Sequence, residues 1–371
     1  MDTINANLEA KLKELLFKIN SLEIKICSDA TKEFIKLLKG EIGCKLLHLY
    51  AKTSPKCSEL LDSWKLQRGK AGMRYIFSLV SAILSHPDGI YSLNDLERIS
   101  TSRVLDMMAR SLVEECLGDI NSELGSQELK HKNAALLLMS SIVRRGSRLA
   151  SGVAKNFDFK LRAFSKLTEF RQKPNQKGSK QSSRKLFIGF AMSFLEVGKP
   201  ELLRWVLQQR EMYSGVLRGL ANDDEVTIIY VLSTLRDKVL VEESLVPPGL
   251  RSVLFGSVTL EQLATICGRE NGGPAAEVAY QVLTMVCTDP CNGLMPDLKR
   301  CPNPLKGNPK RLMDLMKKLK ATGVIYHRDL LLAIIRGQPT FCSTYLEEFP
   351  YNLEDFLSPT WSDFFLQLCD L

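Results

Sequence analysis

Apolar residues recur along this chain at three- and four-residue steps. From Leu8, the positions Leu12, Leu15, Leu16, Ile19, Leu22 and Ile26 fall on one side and Lys11, Lys13, Glu14 and Lys18 on the other. That spacing predicts one amphipathic helix over the whole stretch. Arg103 to Leu117 repeats the pattern through Val104, Leu105, Met108, Leu112, Val113 and Cys116. Glu225 to Leu240 repeats it through Val226, Ile229, Leu232, Leu235 and Val239. Strand-type alternation bounded by tight-turn dipeptides is hard to find, and Asp88-Gly89 separates helical segments.

Helix-start signals accompany the periodicity. Ser54-Pro55 and Asn308-Pro309 each set a capping side chain before a proline at the first helical position, where its missing N–H costs nothing. Thr259 with Gln262 has the spacing of a capping box. Segments bounded by Gly, Pro, Ser or Asp number on the order of fifteen, with short connections, the layout of stacked helical hairpins. No residue signature recurs at a fixed period. The expected fold is all-α, a divergent armadillo/HEAT-like helical repeat (an α-solenoid), with a compact helical bundle as the alternative stacking.

Composition supports a packed core. Of 371 residues, 45% are hydrophobic and 25% charged, far from the balance of a disordered chain. The longest apolar runs, such as Ala134 to Met139, are shorter than the ~20 residues that cross a bilayer. Charges interrupt every apolar stretch near the N-terminus, unlike a secretory signal, so an intracellular protein is expected. Ten cysteines are spread through apolar helical patterns in the manner of reduced core thiols. Cys287, Cys291 and Cys301 come closest to a metal spacing but offer three ligands with no fourth nearby, and no metal or other cofactor is expected.

Catalytic motifs are absent: the sequence has no phosphate-binding GxxxxGK[ST] loop, no GxSxG elbow and no HExxH pair. His48, His86, His131 and His327 do not cluster, and a core or surface role is the better reading of each. A non-enzymatic binding protein is expected.

Charge is distributed unevenly. Between Arg144 and Lys185 thirteen basic residues face only Asp158 and Glu169, an excess greater than the +8 of the whole chain. Positive potential is therefore concentrated there and would attract polyanions. The candidate RNA contacts are Arg144, Arg145, Arg148, Lys155, Arg171, Lys173, Lys177, Lys180, Arg184 and Lys185. The centre, 171–185, lacks apolar residues over most of its length and reads as a mobile loop, whose bland alternatives are a solvated surface or a nuclear import signal. Phe157, Phe159, Phe164 and Phe170 just upstream suit helix packing better than base stacking. A second basic cluster, from Lys299 to Lys320, is best read as the solvent face of a helix that buries Leu312, Leu315, Met316 and Leu319.

Several long segments carry a family resemblance. VRRGSRLASGVAKNFDFK from Val143, RKLFIGFAMSFLEVGKPELLRWVL from Arg184 and GLANDDEVTIIYVLSTLRDKVL from Gly219 resemble the amino-terminal domain of the nucleolar pre-ribosomal-associated protein one family, in particular its plant members. LLHLYAKTSPKCSELLDSWK from Leu46 and EFPYNLEDFLSPTW from Glu348 are similar to it as well. The resemblance covers about residues 31 to 361, so the chain divides into an N-terminal helix (1–30) and an armadillo-like domain (31–371). It implies a nucleolar, non-catalytic scaffold that associates with early large-subunit precursors and supports maturation of their ribosomal RNA. The implied partners are precursor ribosomal RNA, small nucleolar RNAs, a DEAD-box RNA helicase and other early assembly factors, with no membrane. Family proteins are much longer, so a truncated form is expected. A protein-binding adaptor without direct RNA contact is the alternative reading.

Overall fold

The computed structural model describes residues 2–54, 58–86, 94–125, 128–156, 179–241, 246–247, 249–269, 273–287, 310, 313–317, 327–337, 341–349 and 366. Among the described residues there is no strand, and the chain is all-α. It forms two compact units that meet in sequence at Val197 and Gly198.

The first unit holds α1 (Asp2–Ile19), α2 (Ile24–Leu38), α3 (Gly43–Thr53), α4 (Ser58–Gln67), α5 (Met73–Leu84), α6 (Asp95–Ser111), α7 (Leu117–Gly125), α8 (Leu129–Arg144), α9 (Ser147–Asn156) and α10 (Ser179–Val197). Helices pack on partners further along the chain as well as on their chain neighbours. Thus α2 lies against α5, α5 against α8 and α8 against α10, while α3 lies against α6. A third row is tied by α4 and α7, where the Trp64 indole donates to Asp119 Oδ2 at 2.9 Å. Three helices therefore make one repeat of about fifty residues.

The row α5–α8–α10 is the core. Met73, Ile76, Phe77, Leu79 and Ile83 of α5 are buried, as are Leu136, Leu138, Met139, Ile142 and Val143 of α8 and Phe187, Phe190, Phe194 and Leu195 of α10. Neighbours on both sides explain why α5 and α8 bury more than one face. Ser141 Oγ bonds Ser81 Oγ at 2.7 Å and Ser85 Oγ at 2.6 Å, so the polar groups between α5 and α8 satisfy one another.

The second unit holds α11 (Pro200–Gln208), α12 (Arg210–Arg218), α13 (Glu225–Leu235), α14 (Leu250–Leu254), α15 (Ser257–Cys267), α16 (Pro274–Cys287), α17 (His327–Gly337) and α18 (Phe341–Glu348). The same rule organises it: α11 meets α14, α12 meets α15 and α13 meets α16. Its repeat is again about fifty residues. Gly198, at φ 63°, closes α10 in the left-handed conformation that a β-carbon disfavours, and Pro200 then opens α11.

Wide π-helical turns continue two of the helices, Leu112–Cys116 after α6 and Arg236–Val241 after α13. The second is held by buried Arg251 of α14, whose guanidinium donates to the carbonyls of Val239 at 3.2 Å and Leu240 at 3.1 Å. A π turn widens the hydrogen-bond ladder, and an external donor supplies its carbonyls with partners.

Four local expectations fail. The first helix stops at Ile19 instead of running on to Ile26, and Leu22 and Ile26 are exposed. Asn20 and Ser21 are the cause: the Asn20 side chain accepts from Ser63 Oγ, and Ser21 Oγ accepts from the Glu23 amide, which diverts both from continuing the helix. Ser54 ends α3, and its buried Oγ accepts no hydrogen bond and so caps no helix, while Pro55 lies outside the described residues. Thr259 lies inside α15, because extended Gly256 starts that helix earlier, and Gln262 Oε1 accepts from the Ala221 amide instead. Along α13 the buried stripe runs through Ile228, Val231, Leu232 and Leu235, leaving Val226 69% exposed. The helical face expected near Lys317 is present at 313–317, where Leu315 and Met316 are buried. Leu312, Leu319, Asp88-Gly89 and Asn308-Pro309 lie outside the described residues.

Candidate nucleic-acid interface

The basic segment begins where α8 turns into α9, and its first two arginines diverge. Arg145 is 10% exposed and reaches back to α6, donating to Asp106 Oδ1 from Nε at 3.0 Å and from Nη2 at 2.8 Å. The same Nη2 also donates to the Ser102 carbonyl at 3.3 Å and to its Oγ at 3.0 Å. Arg144 points to α10, with Nε 2.6 Å from Glu196 Oε2 and Nη2 3.2 Å from the Gly189 carbonyl; its Nη1 bonds Ser140 Oγ at 2.6 Å. These two side chains fasten the end of α8 to α6 and to α10. A guanidinium suits this because its five fixed donors serve carboxylate and carbonyl acceptors at once.

Arg148 and Lys155 on α9 are exposed, as is Lys185 on α10, whereas Arg184 beside it is buried. Burial follows from helix geometry: Ser183, Arg184, Phe187 and Ile188 share the inward face of α10, and Lys185 points away. Lys180 belongs to α10. Arg171, Lys173 and Lys177, with the four phenylalanines upstream, lie outside the described residues. Among the described residues, the exposed cations of this segment are Arg144, already paired with Glu196, and Arg148, Lys155 and Lys185, which lie on two helices that touch. Such a pair of helices can present positive charge to phosphates.

A reading of charge along the chain misses the partners Asp106, Ser102 and Glu196. They come from helices far away in sequence, and no local signal announces them. Histidines likewise find partners that sequence does not show. His131 Nδ1 lies 2.5 Å from Glu123 Oε2, His48 Nδ1 lies 3.0 Å from Thr101 Oγ1, and His86 Nε2 donates to the Leu38 carbonyl at 3.0 Å. All three join helices. Cys287 closes α16, while Cys291 and Cys301 lie outside the described residues. Among the described residues no cluster of His, Cys, Asp and Glu could hold a metal ion, and no helix is long and apolar enough to cross a membrane.

Comparison with known proteins gives this geometry a setting. The family model described as Npa1, ribosome 60S biogenesis N-terminal, matches residues 57–364. Nucleolar pre-ribosomal-associated protein 1 of Mus musculus is 22% identical over 346 residues, covering 88% of this chain. The chain spans 15% of the length of that relative.

Proposed function

Because the chain belongs to the Npa1 ribosome 60S biogenesis N-terminal family, we propose that it is a non-catalytic scaffold for large ribosomal subunit assembly, acting in nucleolar pre-ribosomal particles to support maturation of large-subunit and 5.8S ribosomal RNA. The family match over 57–364 carries this reading. The fold is suited to it, because stacked three-helix repeats expose long helical faces to several partners at once. Precursor ribosomal RNA and small nucleolar RNAs meet the exposed cations Arg148, Lys155 and Lys185, together with Arg171, Lys173, Lys177 and Lys180. A DEAD-box helicase and other early assembly factors dock on the helical faces.

The test is crosslinking and sequencing of RNA bound to the tagged full chain in cells, with sedimentation to follow large-subunit precursors. Neutralising Arg148, Lys155 and Lys185 lowers crosslinking and flattens the dependence of binding on log salt concentration by about 2, at ~0.7 for each single-strand phosphate no longer neutralised. Unchanged crosslinking refutes the RNA contact, and absence of the chain from precursor particles refutes the scaffold. A second reading, a helical adaptor that touches only proteins, is favoured by one observation: Arg144 and Arg145 are already engaged in ion pairs within the fold. It expects partners to co-sediment after nuclease treatment.

A further inference from the structure

A helix in a stack needs one apolar stripe, and α6 carries two. Its inward stripe, Thr101, Leu105, Met108 and Ala109, is buried. On the opposite side Leu96, Ile99, Arg103, Met107 and Arg110 follow at steps of three, four, four and three residues, which keeps them on one line. Leu96 is 81% exposed, Ile99 63% and Met107 43%, and both arginines are exposed with them. At 1.5 Å per residue the line is about 21 Å long.

Contacts on both flanks fix where this line points. On one flank His48 Nδ1 of α3 lies 3.0 Å from Thr101 Oγ1, and on the other Arg145 reaches Ser102 and Asp106. The exposed line runs between these contacts on the side away from the buried stripe, so it faces outward from the first unit.

Charge narrows what can cover it. Arg103 and Arg110 form no ion pair among the described residues, and neither do Lys45 and Lys52, which are exposed on the adjoining α3. α3 itself holds no acidic residue. The acids of α6 are already engaged: Asp95 lies 2.5 Å from Arg98, Glu97 closes the capping box with Asn94, and Asp106 takes Arg145. Exposed acid returns only at Glu114 and Glu115, past the end of the line.

An apolar ridge among four uncompensated cations is complementary to apolar and acidic groups at helical spacing, which one face of an acidic amphipathic helix supplies. RNA phosphates would meet the cations, but α6 has no aromatic residue on which a base could stack, and Leu96 and Ile99 would stay wet. A two-fold contact with a second copy, centred on Arg103, would set that guanidinium against itself and Leu96 against Arg110.

We propose that the outer face of α6 is a docking site for an acidic amphipathic helix of a partner protein. The apolar stripe of that helix rests on Leu96, Ile99 and Met107, and its Asp and Glu side chains meet Arg103, Arg110, Lys45 and Lys52. The inference gives the scaffold reading a protein-binding face and rests on that reading for the setting in which the partner is met. It uses none of the cations assigned to RNA.

The experiment selects a displayed library of peptides against the full chain, with counter-selection against a Leu96→Ser/Ile99→Ser chain. The peptides are about eighteen residues long, on an alanine-rich helical frame with one face randomised. Synthetic copies of the enriched peptides are then titrated by fluorescence anisotropy. The expected result is enrichment of Leu, Ile, Val, Met or Phe at three- and four-residue steps with Asp or Glu beside them. Affinity falls about tenfold or more in Leu96→Ser/Ile99→Ser and in Arg103→Glu/Arg110→Glu. Peptides whose acids are replaced by Lys regain binding to the Arg103→Glu/Arg110→Glu chain and not to the parent. Every replaced residue is exposed, so the variants melt with the parent chain. Four results overturn the proposal: no enrichment over the counter-selected chain, enriched peptides without acidic residues, a short single-stranded RNA whose binding falls in Leu96→Ser/Ile99→Ser as the peptide's does, or a dimer of the parent chain that the same variant dissociates. Sedimentation with large-subunit precursors separates the two readings. Peptide binding without particle association refutes the scaffold and leaves the docking face, while particle association without peptide binding does the reverse.

Discussion

Replacing Arg145 by alanine tests whether the leading edge of the basic segment serves the fold or the ligand. Its guanidinium donates twice to Asp106 Oδ1 and twice to Ser102, and the side chain is 10% exposed. Hydrogen bonds with a charged partner contribute roughly 1.5–3 kcal/mol each. Removal does not forfeit the sum, because the Asp106 side chain is 38% exposed and water can solvate it once the arginine is gone. The net loss is about 2–3 kcal/mol, or roughly 5–10 °C in melting temperature for a unit of this size. Arg148→Ala, on the exposed face one turn away, is the control and changes stability by less than about 0.5 kcal/mol. Thermal melts followed by circular dichroism check both variants, and a double-mutant cycle with Asp106→Ala should return a coupling of about 1–2 kcal/mol. If Arg145→Ala melts with the parent chain while RNA binding falls, the residue contacts the ligand and the staple account is wrong.

Two further predictions concern the core and its thiols. An ideal β-carbon on Gly43 would sit 1.9 Å from the Leu38 carbonyl oxygen, so Gly43→Ala must displace backbone between α2 and α3; a loss of roughly 2–4 kcal/mol in urea titration is expected, and a wild-type midpoint would contradict the close approach. Burial, with the nearby Asp119 carboxylate adding, pushes the Cys116 thiol up to about 11, and burial pushes Cys267 up to about 12. Their thiolates form in the unfolded chain before the folded one, so the folded state holds the extra protons. Stability from these groups is therefore intact below about pH 9 and falls as pH rises, by up to ~1.4 kcal/mol per unit per group. Denaturant midpoints between pH 8 and pH 11 read the slope, and rapid iodoacetamide labelling of either cysteine in the folded protein at pH 8 would speak against it.

Sequence periodicity shows the helices but not their grouping. Apolar steps mark α6 and α13 because a half-buried helix must repeat near every 3.6 residues whatever it packs on. The three-helix repeat leaves no such mark: α6 opens on a full capping box between Asn94 and Glu97, while its counterpart α3 opens at Gly43 with no side-chain cap. Equivalent helices thus share position but not local chemistry. The basic segment is legible as a count of charges, yet the engagement of Arg144 and Arg145 depends on Glu196 and Asp106, which only folding brings near. A cleft of about 400 Å³ across α5, α8 and α10 is not legible at all, since Tyr75, Asn133 and Leu186 in its walls come from three separate helices. Where the first helix stops is a nearer miss. Asn20-Ser21 is a readable breaker, masked by the regular spacing of Leu22 and Ile26.

The row α2–α5–α8–α10 behaves mechanically like a stack of plates, each gripped along the row by the plate before and the plate after and held at its sides by its chain neighbours. Tension or proteolysis applied to such a stack peels it from an end, because an end plate has one interface to lose and an inner one has two. Damage to α8 therefore loosens α5 and α10 first and reaches α2 along the row through α5. Within this unit the basic turn after α8 is anchored next to a plate held on both sides, so it remains in position while the terminal helix frays.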